Sequence, residues 1–451
     1  MSNRNASGSD AHETDGKTTR GDGKTTRGDG KTTRGDGTPI LSVSGLKKHF
    51  PVNTGFLSSI TFNRGDGFPL SFDDSSVKAV DGVDFSLRPG ETFAVVGESG
   101  CGKSTLARTI LGLEEPTTGE IRFDGHPVED VRDADFHERT QMVFQDPESS
   151  LNARRKVGPI IEDPLEGSGW EPERRRERAM ELLEQVGLKR EYYDRYPHEF
   201  SGGQRQRINL ARALSISPDL VVADEPVSGL DVSVQAQIIN LMIDLQREFG
   251  LTYLLISHNL SVVRHIADRV AVMYLGDFVE VADADRLFAE QHHPYARALL
   301  SAVPNPDPDM PGVRSELQGS VPSASDPPRG CKFHTRCPDF ILPDGFDGRS
   351  YEAFESILGG VRDRDLPVGN DDSPEALVDE ITGTDLPSTV ASDARKAIRL
   401  AMRDEWEQAE SLLRAHESAC QRTTPRLERV GDGRRVAACH LTSEEVDHDR
   451  V

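Results

Sequence analysis

Gly97-Glu98-Ser99-Gly100-Cys101-Gly102-Lys103-Ser104-Thr105 fits the pattern G-x-x-x-x-G-K-[ST], in which glycine-rich backbone cradles phosphate. The apolar run Thr92-Phe93-Ala94-Val95-Val96 precedes it and a helix-compatible run from Ser104 to Leu113 follows. That strand, loop and helix order is what such a loop requires. Gly97, Gly100 and Gly102 let the backbone turn its N–H groups inward at a helix N-terminus, whose dipole favours an anion. Lys103 is then placed to reach the β- and γ-phosphates of a nucleotide, and the Ser104 hydroxyl to ligate Mg²⁺. Cys101, inside the loop, reads as a small filler with an inert thiol.

A magnesium nucleotide needs a carboxylate behind it. Leu220-Val221-Val222-Ala223-Asp224-Glu225 is an apolar strand that ends in two acids. Asp224 is expected to hold Mg²⁺ through its water shell, and Glu225, one residue on, to polarise the attacking water. A second anion site lies between the two motifs. Ser201-Gly202-Gly203-Gln204 opens a strongly helix-forming segment, Gln204 to Leu214, so Ser201 is a plausible N-cap and the helix end another phosphate site.

With Phe200-Ser201-Gly202-Gly203-Gln204-Arg205 just upstream of the acidic strand, the chain resembles an ATP-binding-cassette (ABC) ATPase. Gln145 in Val143-Phe144-Gln145-Asp146-Pro147 resembles that family's Q-loop, a catalytic and Mg²⁺-contacting position. Ser228-Gly229-Leu230-Asp231 resembles its D-loop, and His258 in Leu255-Ile256-Ser257-His258-Asn259 its switch histidine. The family usually carries Ala where Gly229 stands, a departure expected to loosen the turn slightly. The resemblance implies that Ser201, Gly202, Gly203, Gln204 and Asp231 meet the γ-phosphate held by a partner's Lys103, so that two ATPase domains close face to face. His258 ends an apolar strand, Tyr253 to Ile256, where a neutral imidazole can hydrogen-bond the γ-phosphate. Phe50, in Leu46-Lys47-Lys48-His49-Phe50-Pro51, matches the base-stacking aromatic, with a core phenylalanine as the alternative reading. A Gly/Ser/Asn/Asp-rich segment at 52–77 interrupts the usual path from it to the next strand.

The tail narrows the family. His293-Pro294-Tyr295-Ala296-Arg297-Ala298-Leu299-Leu300 and Gly330-Cys331-Lys332-Phe333-His334-Thr335-Arg336-Cys337-Pro338 resemble the oligopeptide/dipeptide importer ATPases. Gln204-Arg205-Gln206-Arg207 and Asp231-Val232-Ser233-Val234-Gln235-Ala236-Gln237 add a likeness to their F-type member. The resemblance covers residues 40 to 340 and resumes around Cys420 to His440. It implies ATP and Mg²⁺ as cofactors, two transmembrane permease subunits, a second and different ATPase subunit, and an extracytoplasmic peptide-binding protein as partners. The place of work is then the cytoplasmic face of the cell membrane.

Of the 5 cysteines, Cys331, Cys337, Cys420 and Cys439 all fall in the tail. Thiolates in such a set can bind iron-sulfur or Zn²⁺, and in some importer members the pattern is associated with an iron-sulfur cluster, here a 4Fe-4S cluster. Four reduced structural thiols are the equally open alternative. Between Cys337 and Cys420 a long insertion replaces the family's short connection. It runs from about 340 to 418 and ends in a helix-compatible run, Ala394 to His416. There Ile398, Met402, Trp406, Ala409 and Leu413 recur at three- and four-residue spacing, the stripe of a helix packed on its own domain.

With 451 residues the chain has room for two or three domains. A low-complexity tail, 1–37, repeats Asp-Gly-Lys-Thr-Thr-Arg-Gly at Asp15, Asp22 and Asp29 and is expected to be disordered. An ATP-binding domain follows at 38–300, with a helical subdomain at about 146–215, and then a Cys-containing C-terminal region at 301–451. Strands such as Ile121-Phe123 and Val270-Tyr274 alternate with helical stretches, Glu171 to Gln185 and Val234 to Phe249. That alternation predicts an α/β fold, a three-layer P-loop NTPase cassette. A net charge of -23 disfavours nucleic acid and anionic lipid as partners, and suggests a cytoplasm of high salt that screens the repulsion. No run reaches about eighteen apolar residues, so neither a signal peptide nor a transmembrane helix is expected.

An importer motor for di- or oligopeptides is therefore the leading reading. A related importer for nickel or other small solutes, and a soluble non-transport ABC ATPase, are the alternatives. The last ordinarily carries a long coiled coil or two cassettes in one chain, which this sequence lacks. A purely regulatory module would have no use for Lys103, Asp224, Glu225 and His258 together.

Overall fold

The computed structural model describes residues 38–52, 60–62, 70–72, 76–131, 133–167, 169–301, 317, 319–366, 377, 386–431 and 435–442. The repeat tail 1–37 and most of the segment 52–77 lie outside these residues. Within that segment, Ile60–Phe62 pairs antiparallel with Leu70–Phe72.

The apolar runs of the sequence become the centre of an eight-stranded sheet. Its order is Glu428–Val430, Arg435–Ala437, Asp277–Asp283, Arg269–Tyr274, Thr92–Val96, Thr252–Ile256, Leu220–Asp224 and Thr140–Val143. From Arg269–Tyr274 to Thr140–Val143 neighbouring strands are parallel, and the other edge is antiparallel. Thr92–Val96, Leu220–Asp224 and Thr252–Ile256 are buried along their whole length, as parallel strands covered on both faces must be.

Each face of the sheet has its own core because side chains alternate along a strand. Ala94, Val96, Val221 and Leu255 turn toward one cluster and Phe93, Val95, Val222 and Ile256 toward the other. The first lies under the helices Pro172–Gln185, Gly202–Leu214 and Val232–Phe249. The second encloses Leu106, Ala107 and Ile110 of Lys103–Ile110 and is roofed by a four-stranded antiparallel sheet with Val43, Leu46 and Val80. The α/β class is as the alternation indicates. The roofing sheet is what the alternation does not reveal, since its strands Leu41–Pro51, Ser76–Leu87 and Thr118–Phe123 adjoin one another only in space. Between Gln145 and Ser201 the described residues are helical or irregular.

The insertion has a core of its own. Gly348–Arg362, Ser388–Ala401 and Trp406–Arg414 bury Phe354, Ile357, Ala394, Ile398 and Leu413 among themselves. The single run expected from Ala394 to His416 is two helices. Asp404 takes φ 65, a left-handed conformation that no α-helix continues through, and its carboxylate accepts from Trp406 Nε1 at 2.7 Å. The apolar stripe breaks there as well: Met402 is 42% exposed while Ala409 and Leu413 are buried.

Candidate active site

The carboxyl ends of adjacent parallel strands form one edge, the usual place for a ligand in an open α/β sheet. Thr92–Val96 leads into the phosphate loop, Leu220–Asp224 into Glu225, Thr252–Ile256 into Ser257 and His258, and Thr140–Val143 into Phe144 and Gln145.

The loop closes tightly on its surroundings. A Cβ at Gly97 would stand 2.2 Å from the Met273 carbonyl oxygen, and one at Gly102, where φ is 109, would stand 1.9 Å from that of Ala79. Only glycine fits either position. Ser99 and Gly100 are exposed, and Ser104 and Thr105 are half-buried at the start of the helix. Lys103 is buried, and its Nζ donates to the carbonyls of Gly97 and Glu98, both at 2.8 Å. Cys101 is buried with its Sγ 3.7 Å from Lys103 Nζ. Burial pushes its thiol above the ordinary value, consistent with an inert filler.

Ser104 Oγ donates to Asp224 Oδ1 at 3.1 Å. Asp224 is 3% exposed. Burial pushes its carboxyl above the usual range, and the Ser104 hydrogen bond pulls part of the way back. A hydroxyl and a carboxylate side by side are hard oxygen donors of the kind Mg²⁺ takes. Next to them, Glu225 is held from two sides. Gln145 Nε2 donates to its Oε2 at 3.0 Å, and His258 Nδ1 lies 2.9 Å from its Oε1. Its backbone has φ 47 and its N–H donates to the Ile256 carbonyl at 2.9 Å. A left-handed non-glycine residue costs about 1 kcal/mol or more and persists where the surroundings over-determine it.

Ser201 caps Gly202–Leu214: its Oγ accepts from Gln204 N–H at 3.4 Å, and Gln204 Oε1 accepts from Ser201 N–H at 3.0 Å. This capping box satisfies two orphan groups reciprocally. A Cβ on Gly203 would stand 2.4 Å from Val234 Cγ1, so the helix start is pressed against the helix that Asp231 begins. Ser201 and Asp231 are exposed, and neither belongs to the Lys103, Asp224 and Glu225 group by any hydrogen bond among the described residues. Gly229 has φ 73. The turn there is left-handed and favours glycine, so the expectation of a merely looser turn needs correcting: glycine is the residue that relieves it. Phe50 is half-buried and outside the cores, with Lys48 Nζ 4.7 Å from its ring centroid.

The order of these elements matches known proteins in sequence as well. Residues 80–228 match the family described as ABC transporter, and residues 279–340 that described as oligopeptide/dipeptide transporter, C-terminal region. The dipeptide transport ATP-binding protein DppF of Haemophilus influenzae is 50% identical over 304 residues, covering 66% of this chain and 89% of that protein. This chain belongs to the ABC transporter ATPases. The DppF of Escherichia coli is 51% identical over 303 residues, 66% of this chain and 86% of its own length. The oligopeptide transport ATP-binding protein AppF of Bacillus subtilis is 50% identical over 306 residues, 66% and 89%. This ABC ATPase binds and hydrolyses ATP. Its insertion matches a domain of unknown function at residues 348–433.

The tail cysteines are brought near one another. Cys331 N–H donates to the Cys420 carbonyl at 2.8 Å. Burial pushes the thiols of Cys331 and Cys337 up to about 12 and that of Cys439 to about 11, with the neighbouring sulfurs adding to the rise. Among the described residues, however, no group of three or more His, Cys, Asp or Glu converges as a metal-holding set. As placed, the sulfurs fit neutral thiols better than a ligand shell.

Sequence reasoning missed two groups of the phosphate loop. Tyr295 Oη accepts from Glu98 N–H at 2.9 Å, and Arg336 Nη1 reaches Glu98 Oε2 at 2.9 Å. No motif links positions 197 and 238 residues apart.

Proposed function

We propose that this ATPase is the motor subunit of a peptide importer, drawing di- or oligopeptides inward by pairing with a second ATPase subunit below two permease subunits and an extracytoplasmic binding protein. Among the described residues no helix is long and apolar enough to cross a membrane. In this reading, attachment to the cytoplasmic face runs through the permeases. The cargo reading is supported by relatives whose names specify dipeptide or oligopeptide transport, and by the tail shared with them.

The observation that carries the catalytic reading is the double hold on Glu225 by Gln145 and His258 at the edge where Lys103, Ser104 and Asp224 also end. Mg²⁺ would be held by Ser104 and Asp224, with Gln145 near, and would neutralise charge on the phosphates. Lys103 binds the β- and γ-phosphates. Glu225 accepts a proton from the attacking water while His258 orients the γ-phosphate side. Ser201, Gly202, Gly203, Gln204 and Asp231, which no hydrogen bond among the described residues ties to this group, complete the partner's site when the two ATPases close. Phe50 stacks on adenine.

What favours an iron-sulfur or zinc site in the tail is the mutual closeness of Cys331, Cys337, Cys420 and Cys439. What opposes it is that, among the described residues, no three ligands converge. The importer reading is tested by reconstituting the chain with its co-encoded subunits in vesicles. ATP-dependent accumulation of labelled peptides is the expected result, and accumulation of nickel or another small solute in place of peptides overturns the cargo.

A further inference from the structure

Glu98, the second residue of the phosphate loop, is held at both ends by the tail. Its backbone N–H donates to Tyr295 Oη at 2.9 Å. Its carboxylate takes both terminal nitrogens of Arg336, Nη1 at 2.9 Å on Oε2 and Nη2 at 3.2 Å on Oε1. Parallel N–H bonds of this kind fix direction as well as distance. The arginine is itself immobilised. It is 8% exposed, and Nη1 also reaches Tyr274 Oη at 3.5 Å. The rings of Tyr274, Tyr295 and Phe333 pack with centroids 4.7 to 5.3 Å apart, which seats the Cys331 to Cys337 loop on the strand Arg269–Tyr274. That strand pairs directly with the one that enters the phosphate loop, Val272 opposite Val96.

The clamp bears on nucleotide in two ways. The Glu98 carbonyl is one of the two carbonyl oxygens that hold Lys103 Nζ, at 2.8 Å, so moving Glu98 moves the lysine that meets the phosphates. The Glu98 carboxylate is also a negative charge built into an anion site. Left unpaired it would oppose a triphosphate.

We propose that Arg336 is a positioning residue of the nucleotide site: from the cysteine-bearing tail it neutralises and aims Glu98, and so sets the affinity of the phosphate loop for ATP. Arg336 touches no reacting atom. The inference rests on the phosphate-loop reading above, and it makes the tail a brace for the catalytic domain in addition to any other role.

The test measures ATPase kinetics of the assembled transporter, and MgATP binding to the full-length chain by calorimetry, for wild type, Arg336→Ala, Arg336→Lys, Glu98→Gln and the double variant Arg336→Ala/Glu98→Gln. Arg336→Ala is expected to raise KM and Kd for ATP about tenfold with kcat within about twofold, the mark of lost ground-state binding. Arg336→Lys, which keeps the charge and loses the fork, is expected to recover part of that loss. In the Glu98→Gln background the arginine truncation should change Kd by less than about threefold, since the pair it breaks is already gone. Equal losses in both backgrounds, or an unchanged KM in Arg336→Ala, overturn the clamp. If Arg336→Ala does not fold, Arg336→Lys decides: wild-type KM and Kd in that variant overturn it. Failure of the wild-type chain to bind MgATP would instead strike the phosphate-loop reading.

Discussion

His258 Nδ1 lies 2.9 Å from Glu225 Oε1, while Gln145 Nε2 donates to the other oxygen of the same carboxylate at 3.0 Å. Each of the three residues follows a different strand in the parallel part of one sheet. The carboxylate is thus aimed from two sides, and a fixed electrostatic environment of this kind can lower a barrier without reorganising.

Glu225→Gln preserves the shape of this arrangement and removes the proposed proton acceptor. Binding of MgATP should stay within about threefold of wild type while turnover falls by roughly a hundredfold or more. Steady-state phosphate release beside equilibrium nucleotide binding checks this. Undiminished turnover removes Glu225 from the base role.

At Gly229 the backbone is left-handed, φ 73, with no atom within 4 Å of the place an alanine methyl would occupy. Strain alone should then decide the effect of Gly229→Ala, a loss of about 1 kcal/mol. Urea unfolding of the two proteins measures it. An equal or higher midpoint in the alanine variant contradicts the turn geometry.

Gly102→Ala meets a harder obstacle, the Ala79 carbonyl 1.9 Å from the new carbon. The loop must move to admit it. ATP binding should drop by about tenfold or more, with folding retained by circular dichroism. Wild-type affinity would show that the loop tolerates displacement.

His293 is 1% exposed, and burial holds its imidazole neutral down to about 3, against 6.5 for a free one. Its Nδ1 accepts from Tyr295 N–H at 3.1 Å. The unfolded chain binds a proton between those pH values that the folded chain does not, so stability falls as pH drops below about 6.5, by up to about 1.4 kcal/mol per unit. Between about pH 7 and pH 5 wild type should lose about 2 kcal/mol more than His293→Asn, which cannot be charged. Unfolding curves that shift equally for both proteins would refute it.

Metal analysis of anaerobically purified protein addresses Cys331, Cys337, Cys420 and Cys439. The placement of the sulfurs predicts less than one iron or zinc per chain and four titratable thiols in this set under denaturing conditions. Stoichiometric iron with a visible charge-transfer band would mean that the sulfurs converge once a cluster is supplied.

Nine consecutive residues, Gly97 to Thr105, determined the phosphate loop on their own, because the conformation of a glycine turn and the start of a helix are local matters. Asp224 and Glu225 after an apolar strand, and Ser201 as the N-cap of the helix it opens, were legible for the same reason, whereas the reciprocal bond from Gln204 was not. Nothing local told which strands lie side by side, so the convergence of Gln145, Glu225 and His258, and the antiparallel roof over Lys103–Ile110, appear only once the sheet is assembled. The turn at Asp404 was hidden because helix periodicity runs through it undisturbed. The pairing of Arg336 with Glu98 spans 238 residues. It was decided by the packing of Tyr274, Tyr295 and Phe333, since long-range contacts arise from the way buried surfaces fit together and leave no periodic mark in the chain.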